Sequence, residues 1–357
     1  MKAARYYGPG DIRIDDIPEP VPKPGQVKIK VRSIAVCGSD LHAYLMLLWV
    51  SPVNEPNSIT KEKLPVGIGH EFSGTIVDLG EDVDISHFSV GQHVVVEPLI
   101  SCMSDYCASC SAGRRNVCPR MNFIGFAGWG GGMAEYITVD QELVHDLPPQ
   151  IPLEIGAMME PLAVGWHAVN RSEFKSGDNV LVVGAGPIGL LLIKVLQARG
   201  AAWVGVSEPA NARRELALTL GANEVYNPLT ANVSEEVRRV TDGIGADVVF
   251  ECSGIPAGLD TAIQAVRARG NIMNVSVWEN PPAFDVNHLM AREASFTAVI
   301  GYESRVFPEL LKAVGEGKLD GIEPLITRKI ALKDVVQKGF MTLLQEKETQ
   351  IKILVQP

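Results

Sequence analysis

The chain of 357 residues is long enough for two domains that each bury a sizeable core. Its 46% hydrophobic and 21% charged residues are an ordinary globular composition, which excludes a disordered or fibrous protein. The formal net charge is −10 and the basic residues are scattered. We therefore predict no nucleic-acid partner, because phosphate backbones are held by clustered lysines and arginines.

The sequence also argues against export and membrane insertion. The N-terminal segment has no basic stretch followed by an apolar core and a cleavage site, as a signal peptide would. The most apolar region, residues 180–195, is interrupted by glycines, Pro187 and Lys194 and is too short for a bilayer span. We predict a cytoplasmic protein without a membrane segment.

Up to about residue 155 the chain consists of short alternating runs that are typical of strands. Val27, Ile29 and Val31 alternate with polar residues, as in a half-buried strand. Similar runs recur at residues 74–77 and 92–96, separated by turn-forming glycine, aspartate and serine. This pattern predicts a small β-rich domain whose loops carry the ligand sites.

Four side chains of this part are candidate metal ligands: Cys37, His70, Glu71 and Glu160. One thiolate, one imidazole and one carboxylate would hold zinc by three protein ligands and leave the fourth position to a substrate, as in catalytic zinc sites. The spacing does not show that these residues converge. For His70 a satisfied histidine in the core remains the alternative.

Four further cysteines lie within 17 residues: Cys102, Cys107, Cys110 and Cys118. In a cytoplasmic chain such a cluster indicates metal ligation before disulfides, and four thiolates are enough to close a tetrahedral structural zinc site. Three arginines nearby in sequence would offset part of the negative charge: Arg114, Arg115 and Arg120. Reduced free cysteines on a loop are the alternative. Cys252 stands alone, and we predict a buried small residue there.

From Gly177 onward, strand-like runs alternate with helix-like segments. The predicted strands are residues 179–183, 203–206, 247–250 and 271–275. This alternation predicts a parallel sheet covered by helices, so the fold class is α/β.

A glycine motif follows the first of these strands and opens a helix-like run. It matches G-x-G-x-x-G with Gly184, Gly186, Pro187, Ile188 and Gly189. Such a turn lets the backbone approach a pyrophosphate closely, while the helix N-terminus supplies amides and a positive dipole. We predict a dinucleotide site, and the alternative is a tight strand-to-helix turn without a ligand.

Glu208 ends the next strand, 19 residues after Gly189. Its carboxylate can accept hydrogen bonds from a ribose diol and would repel a 2′-phosphate, which favours NAD over NADP. Arg213 opposes that preference. A solvated carboxylate at a helix start is the alternative for Glu208.

Together these motifs carry a resemblance to a known family. The pattern Gly69-His70-Glu71-x2-Gly74-x5-Gly80-x2-Val83, the cysteine cluster, Glu160-Pro161 and the glycine motif occur in the order found in medium-chain, zinc-containing dehydrogenases. The chain resembles this family over essentially its whole length. Within the family it most resembles the (R,R)-2,3-butanediol dehydrogenase group, and the sorbitol and xylitol dehydrogenases are near relatives.

The resemblance implies a GroES-like catalytic domain at 1–160, an NAD-binding Rossmann domain at 161–296 and a return to the catalytic domain at 297–357, with the active site between the two domains. It implies that Cys37 and His70 bind zinc. Glu160 would bind the metal directly or through water, and Glu71 could replace that water. One departure concerns the cysteine cluster, where the first gap is four residues instead of two, so that Cys102 must reach further.

The activity implied is zinc-dependent, NAD-linked oxidation of a secondary alcohol, namely 2,3-butanediol to acetoin and the reverse. Ser39, the cofactor ribose and His42 would carry the proton away, as in related alcohol dehydrogenases, and Glu71 would act beside the metal. Asp40 would orient His70.

Two other functions stay open: a polyol dehydrogenase acting on sorbitol or xylitol, and a catalytically silent NAD-binding protein. The expected partners are a small secondary alcohol or diol, its ketone, and further copies of the chain in a dimer or tetramer. The apolar run at residues 45–50 and Trp278 are each either core or subunit contact, or a wall of the substrate pocket.

Overall fold

The structure, a computed structural model, describes residues 1–46, 55–283 and 285–357. Contacts divide the chain into two units, the first comprising Met1–Glu160, Glu303–Glu316 and Ile326–Pro357, the second Pro161–Tyr302 and Gly317–Leu325. The predicted domain boundaries at residues 160 and 296 stay a prediction. By contacts, residues 297–302 and 317–325 belong with the second unit.

Eighteen strands occur in the described part of the chain. They are β1 (Lys2–Gly8), β2 (Asp11–Asp16), β3 (Gln26–Ala35), β4 (Val66–Gly67), β5 (Glu71–Leu79), β6 (His93–Val96), β7 (Leu99–Ile100), β8 (Asn122–Phe123), β9 (Tyr136–Asp140), β10 (Val144–Asp146), β11 (Asn179–Val183), β12 (Trp203–Ser207), β13 (Glu224–Tyr226), β14 (Ala246–Glu251), β15 (Val266–Asn274), β16 (Ser295–Ala298), β17 (Ile326–Ala331) and β18 (Lys352–Gln356).

The α-helices of the same residues are α1 (Gly38–Leu45), α2 (Ala108–Ser111), α3 (Leu153–Gly156), α4 (Met159–Arg171), α5 (Pro187–Ala198), α6 (Asn211–Thr219), α7 (Val233–Val240), α8 (Pro256–Ala265), α9 (Val286–Arg292), α10 (Val306–Gly315) and α11 (Met341–Gln345). A π-helix, Val335–Phe340, precedes α11. No helix in the described residues is long and apolar enough to cross a membrane.

The first unit is built around β3. Val27, Ile29 and Val31 point into its core, while Lys28 and Lys30 alternate with them at intermediate exposure, as the period of two requires. Strand β3 pairs antiparallel with β5, β9 and β18, and β18 in turn pairs parallel with β17. The sheet has the order β10-β6-β5-β3-β18-β17. The last strand of the chain therefore lies next to the strand that leads into Cys37.

The second unit contains a six-stranded parallel sheet of order β13-β12-β11-β14-β15-β16. Its apolar strands are buried on both faces, as is usual for parallel sheets covered by helices. All four predicted strands of this region are present, and the predicted α/β class is confirmed.

The apolar run at residues 45–50 lies mostly outside the described residues. Only Leu45 and Met46 belong to the described part, and both are exposed. The role of this run stays a prediction. Trp278 is half-buried and packs against the apolar core of the second unit, which supports the core alternative for that residue.

Candidate active site

Cys37 stands at the junction between β3 and α1. It occupies the N-cap of the helix, and its backbone amide donates to Asp40 Oδ2 at 2.9 Å. The other carboxylate oxygen of Asp40 lies 3.4 Å from His70 Nδ1. One fully buried aspartate thus contacts both predicted metal ligands. The separation between Asp40 Oδ1 and His70 Nδ1 is too long or too poorly aligned for a hydrogen bond, so the orienting role expected for Asp40 stays a prediction.

His70 is buried directly before β5 and points its second nitrogen toward α1. Its Nε2 lies 3.4 Å from Ser39 Oγ, and its ring packs beside Phe126, with ring centroids 4.7 Å apart. Burial alone would lower the pKa of His70, but the neighbouring Asp40 and Cys37 outweigh burial and raise that pKa well above its ordinary value. The ring therefore stands in a negatively charged environment, which favours a bound cation.

The ligand atoms of Cys37, His70 and Glu71 lie within 4.8 Å of one another. A sulfur, a nitrogen and an oxygen donor are a set that suits zinc and leaves one tetrahedral position open. Burial, followed by the charge of Glu71, raises the pKa of the Cys37 thiol, whereas Lys352 and His70 act in the opposite direction. A divalent cation would favour the thiolate instead.

Lys352 is a site residue that the sequence analysis missed. It is 1% exposed, and its Nζ donates to both carboxylate oxygens of Glu71, at 2.6 Å for Oε1, and to the carbonyl of Val36 at 3.3 Å. Burial lowers the pKa of Lys352, but Glu71 and Cys37 outweigh burial and raise it above its ordinary value. The one signal in the sequence is that this lysine directly precedes the apolar residues of β18, Ile353, Leu354 and Val355.

Charge supports a zinc ion at this centre. Thiolate Cys37 and the carboxylates of Asp40 and Glu71 carry three negative charges, and Lys352 carries one positive charge. These four groups leave two negative charges in excess, and the charge of the buried Glu160 also acts on Lys352, so a divalent cation would offset negative charge whose burial is costly. The residues present fit the metal.

Glu160 and His42 are placed differently from Glu71. Glu160 lies buried in the first turn of α4, and its charge helps to raise the pKa of Lys352, but the cluster of three ligands does not include it. His42 is half-buried on α1, three residues after Ser39. The assignment of the third ligand, and the role of Ser39 and His42 in proton transfer, stay predictions.

The second group of cysteines forms a compact lobe, the segment 102–118. The Sγ atom of Cys102 lies 3.6 Å from that of Cys110 and 3.5 Å from that of Cys118, and Cys107 and Cys118 are 4.0 Å apart. A zinc ion with Zn–S bonds of about 2.3 Å in tetrahedral geometry requires separations of about 3.8 Å. The wider spacing before Cys107 therefore still lets Cys102 reach the other three sulfurs.

The thiols of the lobe differ in acidity. The backbone amide of Ser104 and the side chains of Cys118 and Arg120 lower the pKa of Cys102 to about 6, with burial acting in the opposite direction. Burial raises the pKa of Cys118 to about 11. Of the three arginines near the lobe, Arg120 is thus the one that stabilises a thiolate directly.

Two of the three glycines of the nucleotide motif are required by close contacts within the protein, and the third faces open space. Gly184 has φ +94°, and a Cβ there would lie 2.9 Å from the amide nitrogen of Ser253. A Cβ on Gly189 would overlap the carbonyl of Gly184, whereas one on Gly186, the N-cap of α5, would meet open space. This open space at a helix N-terminus is where the motif would admit a pyrophosphate, with Pro187 and Ile188 forming the first turn.

Glu208 is buried at the end of β12, so it is not the solvated carboxylate considered as an alternative. Its oxygens accept from the amides of Ala185, at 2.8 Å, and Ala210, at 2.9 Å. It therefore anchors the glycine turn itself. Arg213 is half-buried on α6, and the adjacent Arg214 donates to the carbonyl of Glu208 at 2.8 Å. The roles of Glu208 and Arg213 toward a cofactor stay predictions.

Cys252 follows β14 and is half-buried. Burial, followed by the charge of Glu251, raises the pKa of its thiol well above the ordinary value. The prediction of an unreactive small residue is consistent with this environment, although the residue is less buried than we expected.

Comparison with known proteins identifies the class to which this architecture belongs. The family described as "Alcohol dehydrogenase GroES-like domain" matches residues 23–149, and the family described as "Zinc-binding dehydrogenase" matches residues 187–316. The chain belongs to the zinc-binding alcohol dehydrogenases, a family of oxidoreductases. The resemblance inferred from the sequence is confirmed.

Within this family the chain is similar to butanediol dehydrogenases. It is 42% identical to the (R,R)-butanediol dehydrogenase of Neisseria gonorrhoeae, over 100% of this chain and 99% of that protein. The crystal structure of 2R,3R-butanediol dehydrogenase from Bacillus subtilis superposes with a TM-score of 0.92 at 41% identity, covering 100% of this chain and 99% of that one. An Escherichia coli CFT073 structure described as a short chain alcohol dehydrogenase, complexed with NADH, is 26% identical, with a TM-score of 0.87, covering 100% of this chain and 99% of that one.

Proposed function

We propose that the protein is a zinc-dependent, NAD-linked dehydrogenase that interconverts 2,3-butanediol and acetoin. The observation that carries the proposal is the convergence of Cys37, His70 and Glu71 in a chain that is similar to butanediol dehydrogenases over its whole length. In the oxidation, the carbinol carbon loses a hydride and its hydroxyl loses a proton, which yields the ketone.

Cys37, His70 and one glutamate would hold the catalytic zinc, and the glycine turn at 184–189 with Glu208 would hold NAD. The metal supplies a Lewis acid that stabilises the alkoxide form of the substrate, and NAD supplies the hydride acceptor. The chain's own residues orient and desolvate the site. Asp40 would orient the His70 ring, and the aromatic rings of Phe123 and Phe126 exclude water from one side of it.

Ser39 would accept the proton of the substrate hydroxyl. Its Oγ lies beside His70 Nε2, the nitrogen that Asp40 leaves available for the metal. His42 follows three residues later on the same helix, on the half-buried side, and would pass the proton toward solvent through the cofactor ribose.

Replacement of Ser39 tests this path. We expect Ser39→Ala to lower turnover about 100-fold or more, the lower range for a lost general acid or base, with unchanged zinc content. Ser39→Thr keeps the hydroxyl and should retain most of the activity. Turnover of Ser39→Ala equal to that of the unsubstituted protein would remove Ser39 from the path.

The substrate assignment rests on similarity and is tested by turnover. Steady-state rates should be measured on the stereoisomers of 2,3-butanediol, on acetoin, sorbitol and xylitol, each with NAD and NADP. We expect the highest kcat/KM for a butanediol isomer with NAD. A preference for sorbitol would favour the polyol dehydrogenase and leave the chemistry standing.

Metal analysis separates the enzyme from a catalytically silent NAD-binding protein. We expect two zinc ions per chain, one at the Cys37 centre and one in the cysteine lobe, because both clusters have donor sets that fit zinc. Zinc in the lobe alone would support the silent protein.

We also propose that the chain forms a homo-oligomer in the cytoplasm. Strand β16 ends the parallel sheet, and the exposed side chains of Phe296, Val286 and Met290 make this region apolar. The six cysteines form no disulfide with one another, as suits a reducing compartment. Light scattering after gel filtration should give a mass of two or four chains, and a monomer mass would contradict the oligomer.

A further inference from the structure

Glu251 is a fully buried carboxylate at the end of β14, outside the sites described so far. It accepts hydrogen bonds from the amides of Ser253, at 2.9 Å, and Gly254, at 3.2 Å, and from the hydroxyls of Ser253 and Ser276. All four donors are neutral. Burial of a carboxylate is costly unless hydrogen bonds replace its hydration, so this position holds its charge by a dedicated set of donors.

These bonds fix the loop after β14 against the glycine turn. The amide of Cys252 donates to the carbonyl of Val183 at 2.8 Å, directly before Gly184. The peptide between Cys252 and Ser253 is the group that a Cβ on Gly184 would meet, at 2.9 to 3.0 Å. Glu251 therefore helps to position the Cys252–Ser253 peptide, against which Gly184, the first glycine of the nucleotide motif, packs.

The same carboxylate also holds the loop after β15. Ser276 donates to Glu251 and contacts Asn274 Oδ1 at 3.2 Å, and this amide oxygen accepts from Trp278 Nε1 at 2.8 Å. The backbone of Val277 packs against Gly254: a Cβ on Gly254 would lie 2.9 Å from the carbonyl oxygen of Val277. Glu251 thus bonds directly to the loops that follow β14 and β15, and the backbone of the first of these packs against the loop that follows β11.

The three loops lie at the carboxyl ends of the parallel strands, which is where a nucleotide would bind. From β11 the chain adds β12 and β13 on one side of the sheet and then β14, β15 and β16 on the other. The order therefore reverses between β11 and β14, and nucleotides bind at the carboxyl ends of the strands at such a reversal. Glu251 lies at that point.

We propose that Glu251 is a positioning residue for the dinucleotide: it holds the three loops that border the nucleotide crevice in their binding arrangement. The inference rests on the proposed function, since it takes NAD as the ligand. Glu251 acts through Ser253, Gly254 and Ser276 and does not itself touch the reacting atoms.

The test is Glu251→Gln in the zinc-loaded, full-length protein. The amide keeps the size of the side chain but presents hydrogens to donors that need an acceptor. We expect the Kd for NADH, measured by nicotinamide fluorescence, to rise about tenfold, and kcat at saturating NAD to stay within about threefold. The KM for NAD should rise with the Kd.

Glu224→Gln is the matched control. Glu224 lies at the start of β13, an edge strand of the same sheet, where it accepts hydrogen bonds from the side chains of Tyr226 and Arg239. The Glu224→Gln variant should be less stable than the unsubstituted protein but bind NADH with the same affinity. Should Glu251→Gln fail to fold, Ser276→Ala removes one donor and leaves the carboxylate in place, and we expect a rise in Kd of about threefold.

Unchanged NADH affinity in the folded variants, with only a lower Tm, would overturn the inference and leave the proposed function intact. Absence of NADH binding by the unsubstituted protein would overturn both. A rise in Kd for Glu224→Gln equal to that for Glu251→Gln would also overturn the inference, because it would show a general effect of weakening the sheet.

Discussion

The first unit contains two clusters with donor sets for a divalent cation, and the two clusters are built in opposite ways. The lobe takes all four thiols from one segment of 17 residues, with three of them half-buried and Cys118 buried, and would close the coordination sphere. The Cys37 centre takes its ligands from two separate parts of the chain, buries His70 and Glu71, and leaves a position open. The lobe is thus a local structure, whereas the Cys37 centre depends on the sheet that assembles it.

The surrounding charges differ in the same way. In the lobe, the lowered pKa of Cys102 is due to the nearby amide of Ser104 and to the side chains of Cys118 and Arg120, of which Arg120 is exposed. The Cys37 centre is balanced by the buried Lys352, which reaches it from the last strand. Changes at the lobe should therefore stay local, and changes at the Cys37 centre should affect both chemistry and folding.

The largest effect on turnover is expected from a substitution that removes one ligand of the catalytic cluster and leaves the lobe intact. His70→Ala should lower turnover about a thousandfold, because the Lewis acid is worth several kcal/mol of transition-state stabilisation. Zinc analysis should show a fall from two ions per chain to one. Retention of both ions would mean that His70 is not a ligand.

The next effect concerns the buried ion pair. Lys352→Met leaves Glu71 without its cation, and we expect the free energy of unfolding of the zinc-free protein to fall by about 3 kcal/mol. With zinc bound the loss should be smaller, since Glu71 can turn to the metal. Urea unfolding of both forms measures the difference.

Lys329→Met is the control for Lys352→Met. Lys329 pairs with Glu154 at 2.6 Å on the surface, with 47% and 36% of the two side chains exposed, so its loss should cost less than about 1 kcal/mol. Equal losses for the zinc-free and zinc-loaded forms of Lys352→Met would contradict the exchange of Glu71 between lysine and metal.

A smaller effect is expected from opening the lobe. Cys102→Ser removes one thiolate, and the lobe then loses its role as a cross-link, at a cost of about 2 kcal/mol in the free energy of unfolding. Turnover of the folded protein should stay within about twofold, because the Cys37 centre is built separately. A loss of activity as large as that of His70→Ala would show that the two centres are coupled.

The smallest effect is on metal retention. Arg120→Ala removes the cation that stabilises the Cys102 thiolate, and zinc release to a chromophoric chelator should become about two- to fivefold faster. Arg114→Ala, which removes an exposed arginine of the same segment, should release zinc at the original rate. Identical rates in both variants would remove Arg120 from the lobe's charge balance.

The sequence allowed good predictions wherever a pattern is local. The alternation of Val27, Ile29 and Val31, the strands of the second unit, the cysteine spacing and the glycine motif each express a short-range rule, and the structure shows all of these elements. The convergence of Cys37 with His70 was expected from family resemblance, since nothing in their spacing requires it.

What escaped prediction depends on pairing between distant strands. Lys352 is a site residue only because β18 lies beside β3, which no local pattern specifies. Glu251 was passed over because a carboxylate at a strand end is usually solvated, and its four donors come from two loops.

The ion pair between Glu71 and Lys352 also determines which of the two metal sites is completed first during synthesis of the chain. Its partners are 281 positions apart, which corresponds to roughly 15 to 55 s of synthesis at about 5–20 residues per second. Throughout that interval the nascent chain carries Glu71 without its cation, while the cysteine lobe is complete once Cys118 has emerged. A growing chain can therefore bind zinc in the cysteine lobe first. The charges of the Cys37 centre are balanced only after Lys352 has been synthesised.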